Sequence, residues 1–308
     1  MSHSIFDKNQ DAASYNNHAS AYDTYIRRLA GPLAIRICEL AHLKPGEAVL
    51  DVGTGTGLAA RQASQIVTAQ GSVLGVDLSA GMIDIAKRSV SNWHGASPDF
   101  RVMDAESLEL SNASFDAVIS LCAVRHFPNI SAAIKEMYRV LKPGGQLVVS
   151  FGYARPINLL PLGRYIAKRL LGKVFAPIYP QIVGPVYLTN LAKKLLPKPK
   201  ESLLTQWGES DPQGALLGAI HLAGFEGVKA SWWGHEVVFD SAEEFWEAQT
   251  SIVTEVRKRI GEASPEAVAR LKQEFLSTAQ SILERRGQLI YPYGAFYVSA
   301  YRPLTKLS

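Results

Sequence analysis

The stretch Val49-Leu50-Asp51-Val52-Gly53-Thr54-Gly55-Thr56-Gly57 joins a short apolar strand to three alternating glycines, and Leu58–Val67 follows with helical periodicity. Glycine is needed at such a junction because the backbone turns tightly and a ligand approaches it with no side chain between. Taken alone, the loop also fits an ordinary tight turn. Three features downstream argue for a ligand. Asp77 closes a second strand, Ser72–Asp77, twenty residues after Gly57, where a carboxylate accepts hydrogen bonds from both hydroxyls of a ribose. Asp104 follows a third strand, Asp99–Met103, and with Ala105 beside it is placed to meet an exocyclic adenine amine. Leu141-Lys142-Pro143-Gly144-Gly145 is a sharp turn feeding the strand Gln146–Phe151. Each acid by itself also reads as a helix N-cap or a solvated loop residue. All four features in this order read as a nucleotide-type site.

Outward from that loop, strands and helices alternate. Gly81–Ser89 and Ser131–Leu141 are helical, and Phe115–Ser120 is a strand. Short apolar strands separated by helices predict βαβ units and a doubly wound α/β fold with a mainly parallel sheet. Residues 11–40 read as helical, with Tyr15, Tyr22, Tyr25, Leu29, Leu33 and Ile37 at helical spacing. After Phe151 the rhythm breaks. The expected organisation is a helical cap at 1–44, a cofactor-binding core at 45–152, a basic helical lid at 153–210, and the rest of the core at 211–308. Within that last part Gly214–Ala223 reads as a helix and Gly227–Trp233 as a strand. Two helices broken near Gly261–Pro265 fill an insertion at about 241–286, and Tyr293–Tyr301 is the closing strand.

The glycine spacing and one charge distinguish between cofactors. A dinucleotide fingerprint spaces its glycines G-x-G-x-x-G, whereas Gly53, Gly55 and Gly57 alternate. Asp51, at the strand end, would repel a pyrophosphate but suits the ammonium of a bound amino acid. S-adenosylmethionine supplies that ammonium, together with a sulfonium and no phosphate.

The residues Asp51–Gly57, Gly75-Val76-Asp77-Leu78-Ser79 with Met82, Met103-Asp104-Ala105-Glu106, Phe115-Asp116-Ala117-Val118 and Leu141–Gly145 resemble the class I S-adenosylmethionine-dependent methyltransferases. The resemblance is to the ubiquinone/menaquinone-biosynthesis type and its natural-product relatives, over about residues 45–151. It implies a Rossmann-like, seven-stranded sheet whose last strand is antiparallel, with helical lid insertions as departures from the compact pattern. It also implies that Gly53 and Gly55 line the methionine, Asp77 holds the ribose, Leu78 and Met82 flank the adenine, and Asp104 with Ala105 reads its edge. Thr54 and Leu121 belong to the same cofactor-binding set, and Tyr15, with Tyr22 as a second candidate, lies over the cofactor.

The bulk properties are compatible with this. A 308-residue chain that is 47% hydrophobic has material for a real core. Two cysteines, Cys38 and Cys122, make no disulfide framework, and no Cys/His cluster has metal-ligand spacing, so no metal is expected. Met1–Gln10 does not read as a signal peptide, and no uncharged apolar run approaches a membrane span, so a cytoplasmic protein is expected. The formal charge is +4, but the segment from Arg155 to Gln206 holds nine basic residues against Glu201 alone and carries +8, leaving −4 for the remainder. Its apolar patches suit a lipophilic acceptor. Its charge suits peripheral contact with an anionic membrane surface, neutralisation of an acidic substrate, or simply solvation. Tyr153, Phe175, Tyr179, Trp207, Trp233 and Tyr293 are candidates for the chamber wall. No basic-aromatic module is appended, which disfavours nucleic acid.

A sulfonium methyl is already activated, so the enzyme's tasks are alignment and exclusion of water. His126, in Leu121-Cys122-Ala123-Val124-Arg125-His126-Phe127, lies just past the fourth strand and is the candidate catalytic base, which tilts the expectation towards O-methylation. The bland reading is that it shapes the loop. Arg125 reads as solvated in preference to orienting an acidic acceptor, Cys122 as a small cofactor-lining residue, and His235 as a core or pocket-wall residue. The expected function is methyl transfer to a small, largely apolar acceptor. The alternatives are a cofactor-binding cyclase or isomerase of the same fold, and a membrane-surface lipid-binding protein.

Overall fold

The computed structural model describes residues 6–16, 19–91, 97–152, 181–199 and 211–304. Eight strands form one sheet: β1 (Ala48–Val52), β2 (Ser72–Asp77), β3 (Asp99–Val102), β4 (Phe115–Ser120), β5 (Leu141–Gly152), β6 (Gln181–Val183), β7 (Glu226–Phe239) and β8 (Gln288–Tyr301). The first five run parallel in the order β3-β2-β1-β4-β5. β8 is antiparallel to β5 and to β7. This is the seven-stranded doubly wound sheet expected from the sequence. β6 is an extra short strand, parallel to the start of β8 (Gln181↔Gln288, Ile182↔Leu289, Val183↔Ile290).

The helices are α1 (Lys8–Asn16), α2 (Ala19–Leu40), α3 (Leu58–Val67), α4 (Ala80–Ser89), α5 (Ile130–Val140), α6 (Gly184–Leu195), α7 (Pro212–Leu222), α8 (Ala242–Ile252), α9 (Thr254–Glu262) and α10 (Pro265–Glu284). Their starts follow local chemistry. Ser79, Asn129, Asp211, Ser241 and Ser264 each accept a hydrogen bond from a first-turn N–H, and Pro212 and Pro265 occupy first-turn positions that need no donor. In α5, Ile130, Ala133, Ile134, Met137 and Val140 recur at three- and four-residue spacing, and all are buried.

Three apolar clusters result. One packs α5 and α7 on one face of the sheet, and a second packs α2, α3 and α4 on the other. A third joins α6, α8 and α10 to the ends of β7 and β8 that extend past the main sheet, and includes Val256 of α9.

Several boundaries differ from the sequence reading. The helical stretch expected at 11–40 is two helices, α1 and α2. The insertion expected to hold two helices holds three, because Val253 takes an extended backbone conformation between α8 and α9. β7 and β8 are longer than expected, since each continues beyond the core into the third cluster. Most of the basic lid at 153–210, with Tyr153, Phe175, Tyr179 and Trp207, lies outside the described residues. Among the described residues no helix is long and apolar enough to cross a membrane.

Candidate cofactor and acceptor site

The site lies at the C-terminal ends of the parallel strands, at the switch point between β1 and β4, where doubly wound sheets bind ligands. Gly53, Gly55 and Gly57 have φ of +70°, +55° and +83°, left-handed values that disfavour any side chain. Gly53 also faces Ala123, so a Cβ there would collide with the loop after β4, and one at Gly57 would lie 2.7 Å from Phe100. The turn is held by Gly53 N–H and Thr54 N–H, which both donate to the Val76 carbonyl.

Asp51 is 1% exposed. Its Oδ2 accepts from Thr54 Oγ1 (2.6 Å) and from Ala60 N–H (3.0 Å), while Oδ1 is buried with no hydrogen-bond partner among the described residues. Burial pushes its carboxyl up to about 7, against the two hydrogen bonds that pull it down. Asp77 accepts from Gly55 N–H and Ser79 N–H, both at 2.9 Å, one on each oxygen. Each oxygen keeps a further lone pair, enough for a pair of hydroxyls. Burial also raises this carboxyl, opposed by the two backbone donors.

One cavity is lined by Tyr15, Tyr22, Gly53, Gly55, Asp77, Leu78, Met82, Asp104, Ala105, Leu121 and His126, which brings together eleven of the residues singled out from sequence. Asp51 and Thr54 line a second, smaller cavity that shares Tyr22, Gly53, Gly55, Leu121 and Cys122 with the first. Thr54 therefore reaches the site beside Asp51, whose carboxylate it orients. Asp104 is already engaged. Its Oδ2 accepts from Lys8 Nζ at 2.7 Å, and the same ammonium reaches Glu106 at 2.7 Å, so Lys8 of α1 covers the corner expected to read the adenine.

His126 is held by a carboxylate. Its Nδ1 lies 2.7 Å from Asp11 Oδ2, and Lys258 Nζ of α9 stands 2.9 Å from the other Asp11 oxygen. Burial opposes a charge on the ring, but the charges of Tyr15 and Asp11 and the Asp11 hydrogen bond outweigh it and raise the imidazole to about 9. Asp11 thus fixes the ring through Nδ1 and favours its protonated form, and Nε2 is the nitrogen that would exchange a proton or hydrogen bond with an acceptor. Asp11 is pulled down to about 2, despite burial, by the same pairing. Tyr15 packs edge-on to His126 and to Tyr22, with ring centroids 6.0 and 5.9 Å apart. The Arg257 guanidinium lies 3.9 Å from the centroid of the Tyr15 ring.

The remaining candidates have structural surroundings. Cys122 sits at φ +58° and lines both cavities; burial pushes its thiol up to about 12, which leaves it a neutral wall. His235 Nε2 is 2.7 Å from the Leu29 carbonyl, and its ring stacks on Trp233. Arg125 reaches the Gly152 carbonyl at 3.4 Å. Sequence reasoning did not find Lys8, Asp11, Arg257 or Lys258. Their only common property is convergence in space, from helices 240 residues apart, and no local motif marks it.

A family model described as a methyltransferase domain matches residues 50–149. The ubiquinone/menaquinone biosynthesis C-methyltransferase UbiE of Xanthomonas oryzae pv. oryzae is 33% identical over 175 residues, covering 55% of this chain and 67% of that protein. The chain belongs to the class I S-adenosylmethionine-dependent methyltransferases. An arsenite methyltransferase of Aquipseudomonas alcaligenes is 39% identical over 120 residues, 36% of this chain, and the match spans about a third (34%) of that protein's length. Among solved structures, the [4+2]-cyclase SpnF superposes with a TM-score of 0.55 at 19% identity, covering 99% of this chain and 100% of that one. At that identity the likeness is one of fold. In this methyltransferase fold the cofactor finds a cradle that a Cβ would fill and a buried carboxylate oxygen with no partner, and the residues present fit it.

Proposed function

We propose that this protein transfers a methyl group from S-adenosylmethionine to a small, largely apolar acceptor, with an oxygen of the acceptor as the favoured target. The observation that carries the reading is the unpartnered Oδ1 of Asp51, a buried acceptor atom on a carboxyl that burial holds near 7. An ammonium beside it would draw the group back to its ionised form, whereas a pyrophosphate would raise the cost of that charge. Gly53 and Gly55 leave the backbone open beneath the methionine, Asp77 takes the ribose, Leu78 and Met82 enclose the adenine, and Asp104 with Ala105 borders its edge. When bound, the cofactor supplies an electrophilic methyl on sulfur. Tyr15, Tyr22 and Leu121 exclude water around it. His126, protonated and held by Asp11, acts on the acceptor as a hydrogen-bond donor.

The Asp51 charge gives a direct test. Calorimetric affinity for S-adenosylmethionine should fall as the pH drops below about 7, with proton release on binding near pH 6, and Asp51→Asn should weaken binding roughly tenfold or more. Tight binding of a nicotinamide dinucleotide, with none of the methyl donor, would overturn the reading. Transfer itself is read from label that passes from the cofactor methyl into an extractable small molecule, with release of S-adenosylhomocysteine.

A second reading keeps the fold and the cofactor without the transfer, as a cyclase or isomerase. The fold-level likeness to SpnF, which covers 99% of this chain, is the support for retaining it. Product formation with no S-adenosylhomocysteine released would select it. Both readings place the protein in the cytoplasm, on the support of two free cysteines. The basic segment at 155–206 is the proposed contact with an anionic membrane surface where a lipophilic acceptor is held.

A further inference from the structure

Arg257 is 3% exposed, and among the described residues no carboxylate pairs with it. One guanidinium nitrogen donates to the Ser251 carbonyl (3.2 Å) and another to Ser14 Oγ (3.5 Å), its face lies on the Tyr15 ring, and its Nε has no partner among the described residues. A buried guanidinium without a carboxylate is costly, because its charge loses hydration and gains nothing equivalent. The nearby acids do not relieve it. Asp11 is shared by His126 and Lys258. Asp104 and Glu106 are paired with Lys8, and Asp77 accepts from backbone N–H groups. Around the Tyr15 ring itself, the cationic groups Arg257, Lys258 and His126 converge on a single carboxylate, Asp11, so this wall is locally short of negative charge. A sulfonium brought to this cavity would deepen that shortage.

We infer that the acceptor is an organic oxyanion, a phenolate or a carboxylate on an apolar body, held at the Tyr15–His126 wall with Arg257 behind it. This rests on the methyl-transfer reading and names its substrate class. With Nδ1 committed to Asp11, His126 has Nε2–H left to donate to the oxyanion, and Arg257 acts through the Tyr15 ring as a positioning residue. An oxyanion needs no base. Its lone pair forms the new O–CH3 bond as the S–CH3 bond breaks and that electron pair passes to sulfur. No proton is released, and opposite charges cancel in a site of low dielectric. The same field pulls the Tyr15 hydroxyl below its ordinary value, against burial, through the charges of His126 and Arg257.

The probe is 4-nitrophenol, titrated by its phenolate absorbance on the protein saturated with S-adenosylhomocysteine, with benzoate as competitor. Saturation is first verified by calorimetry, so a failure to bind the cofactor is seen separately and sinks the methyl-transfer reading instead. The bound probe should ionise about one pH unit or more below the free phenol, a tenfold preference for the anion. Arg257→Met should remove most of that preference and leave affinity for S-adenosylhomocysteine unchanged, while Arg257→Lys should keep it. Displacement by benzoate assigns the site to carboxylates as well as phenolates. The inference is overturned if the probe ionises as in water, or if neither anion binds at millimolar concentration. It is equally overturned if Arg257→Met weakens the cofactor and leaves the probe unmoved, for then the guanidinium serves the cofactor's own carboxylate.

Discussion

At the scale of single residues, the site is governed by where charge is left unbalanced. Asp51 is buried with a vacant oxygen, whereas Asp11 is buried with one oxygen hydrogen-bonded to His126 and the other 2.9 Å from the Lys258 ammonium. The His126–Asp11 pair has a pH dependence of definite sign. His126 is raised from 6.5 to about 9, so its pairing contributes fully below about 6.5 and is lost as pH rises through about 9. Asp11 is lowered from 3.8 to about 2, so its share is present above 3.8 and is lost only as acid takes the pH through about 2. Amide hydrogen exchange of α1 relative to α2, corrected for intrinsic rate, should therefore accelerate between pH 7 and 10 in the wild type. In Asp11→Asn it should be fast already at pH 7. An α1 whose protection is flat over that range would show that the pair does not hold it. Asp51, Asp77 and Asp104 were legible in the sequence because each ends a strand at a fixed distance from a glycine loop. Asp11 and Arg257 were not. Their meaning lies in each other's neighbourhood across 246 positions of chain, which spacing does not record.

At the scale of elements, the glycine loop and α1 fix the cavity from opposite sides. Gly53→Ala should cost about 1–3 kcal/mol of stability, since a side chain is strained at φ +70° and its Cβ meets Ala123. Urea titration reads the loss, and cofactor binding should disappear even where the fold persists. Helix α1 is attached very differently. Its only buried residue is Asp11, and apart from the Tyr15 ring against Tyr22, His126 and Arg257 its ties are polar: Lys8 to Asp104 and Glu106, Asp11 to His126 and Lys258, and Asn16 Oδ1 accepting from Ser79 Oγ and Gly81 N–H. The core βαβ elements could be read from sequence because apolar periodicity and N-caps agree there. The separate α1, the third insertion helix and the extra strand β6 could not, because each depends on a tertiary partner that supplies what the local pattern lacks. β6, for instance, is three residues long and exists by pairing with β8.

At the scale of the whole molecule, the insertion helices have a core of their own. Phe275 is fully buried between Tyr187, Phe245 and Trp246, with ring centroids 5.5–5.9 Å apart. Phe275→Ala should cost about 3–5 kcal/mol by thermal or denaturant unfolding. Because α9 carries Arg257 and Lys258, the same variant should loosen the acceptor wall and leave the glycine loop in place. Loss of acceptor binding with retained cofactor affinity is the expected split, and equal loss of both would count against it. β8 bears on how the molecule opens. One half of this strand lies between β5 and β7 in the catalytic sheet, and the other lies between β6 and β7 in the insertion core. Floor and roof thus share a single continuous beam. The two cores cannot swing apart like jaws about a linker without tearing a ladder of backbone hydrogen bonds, and among the described residues the lightly anchored helix α1 is the part of the cavity wall that moves at least cost.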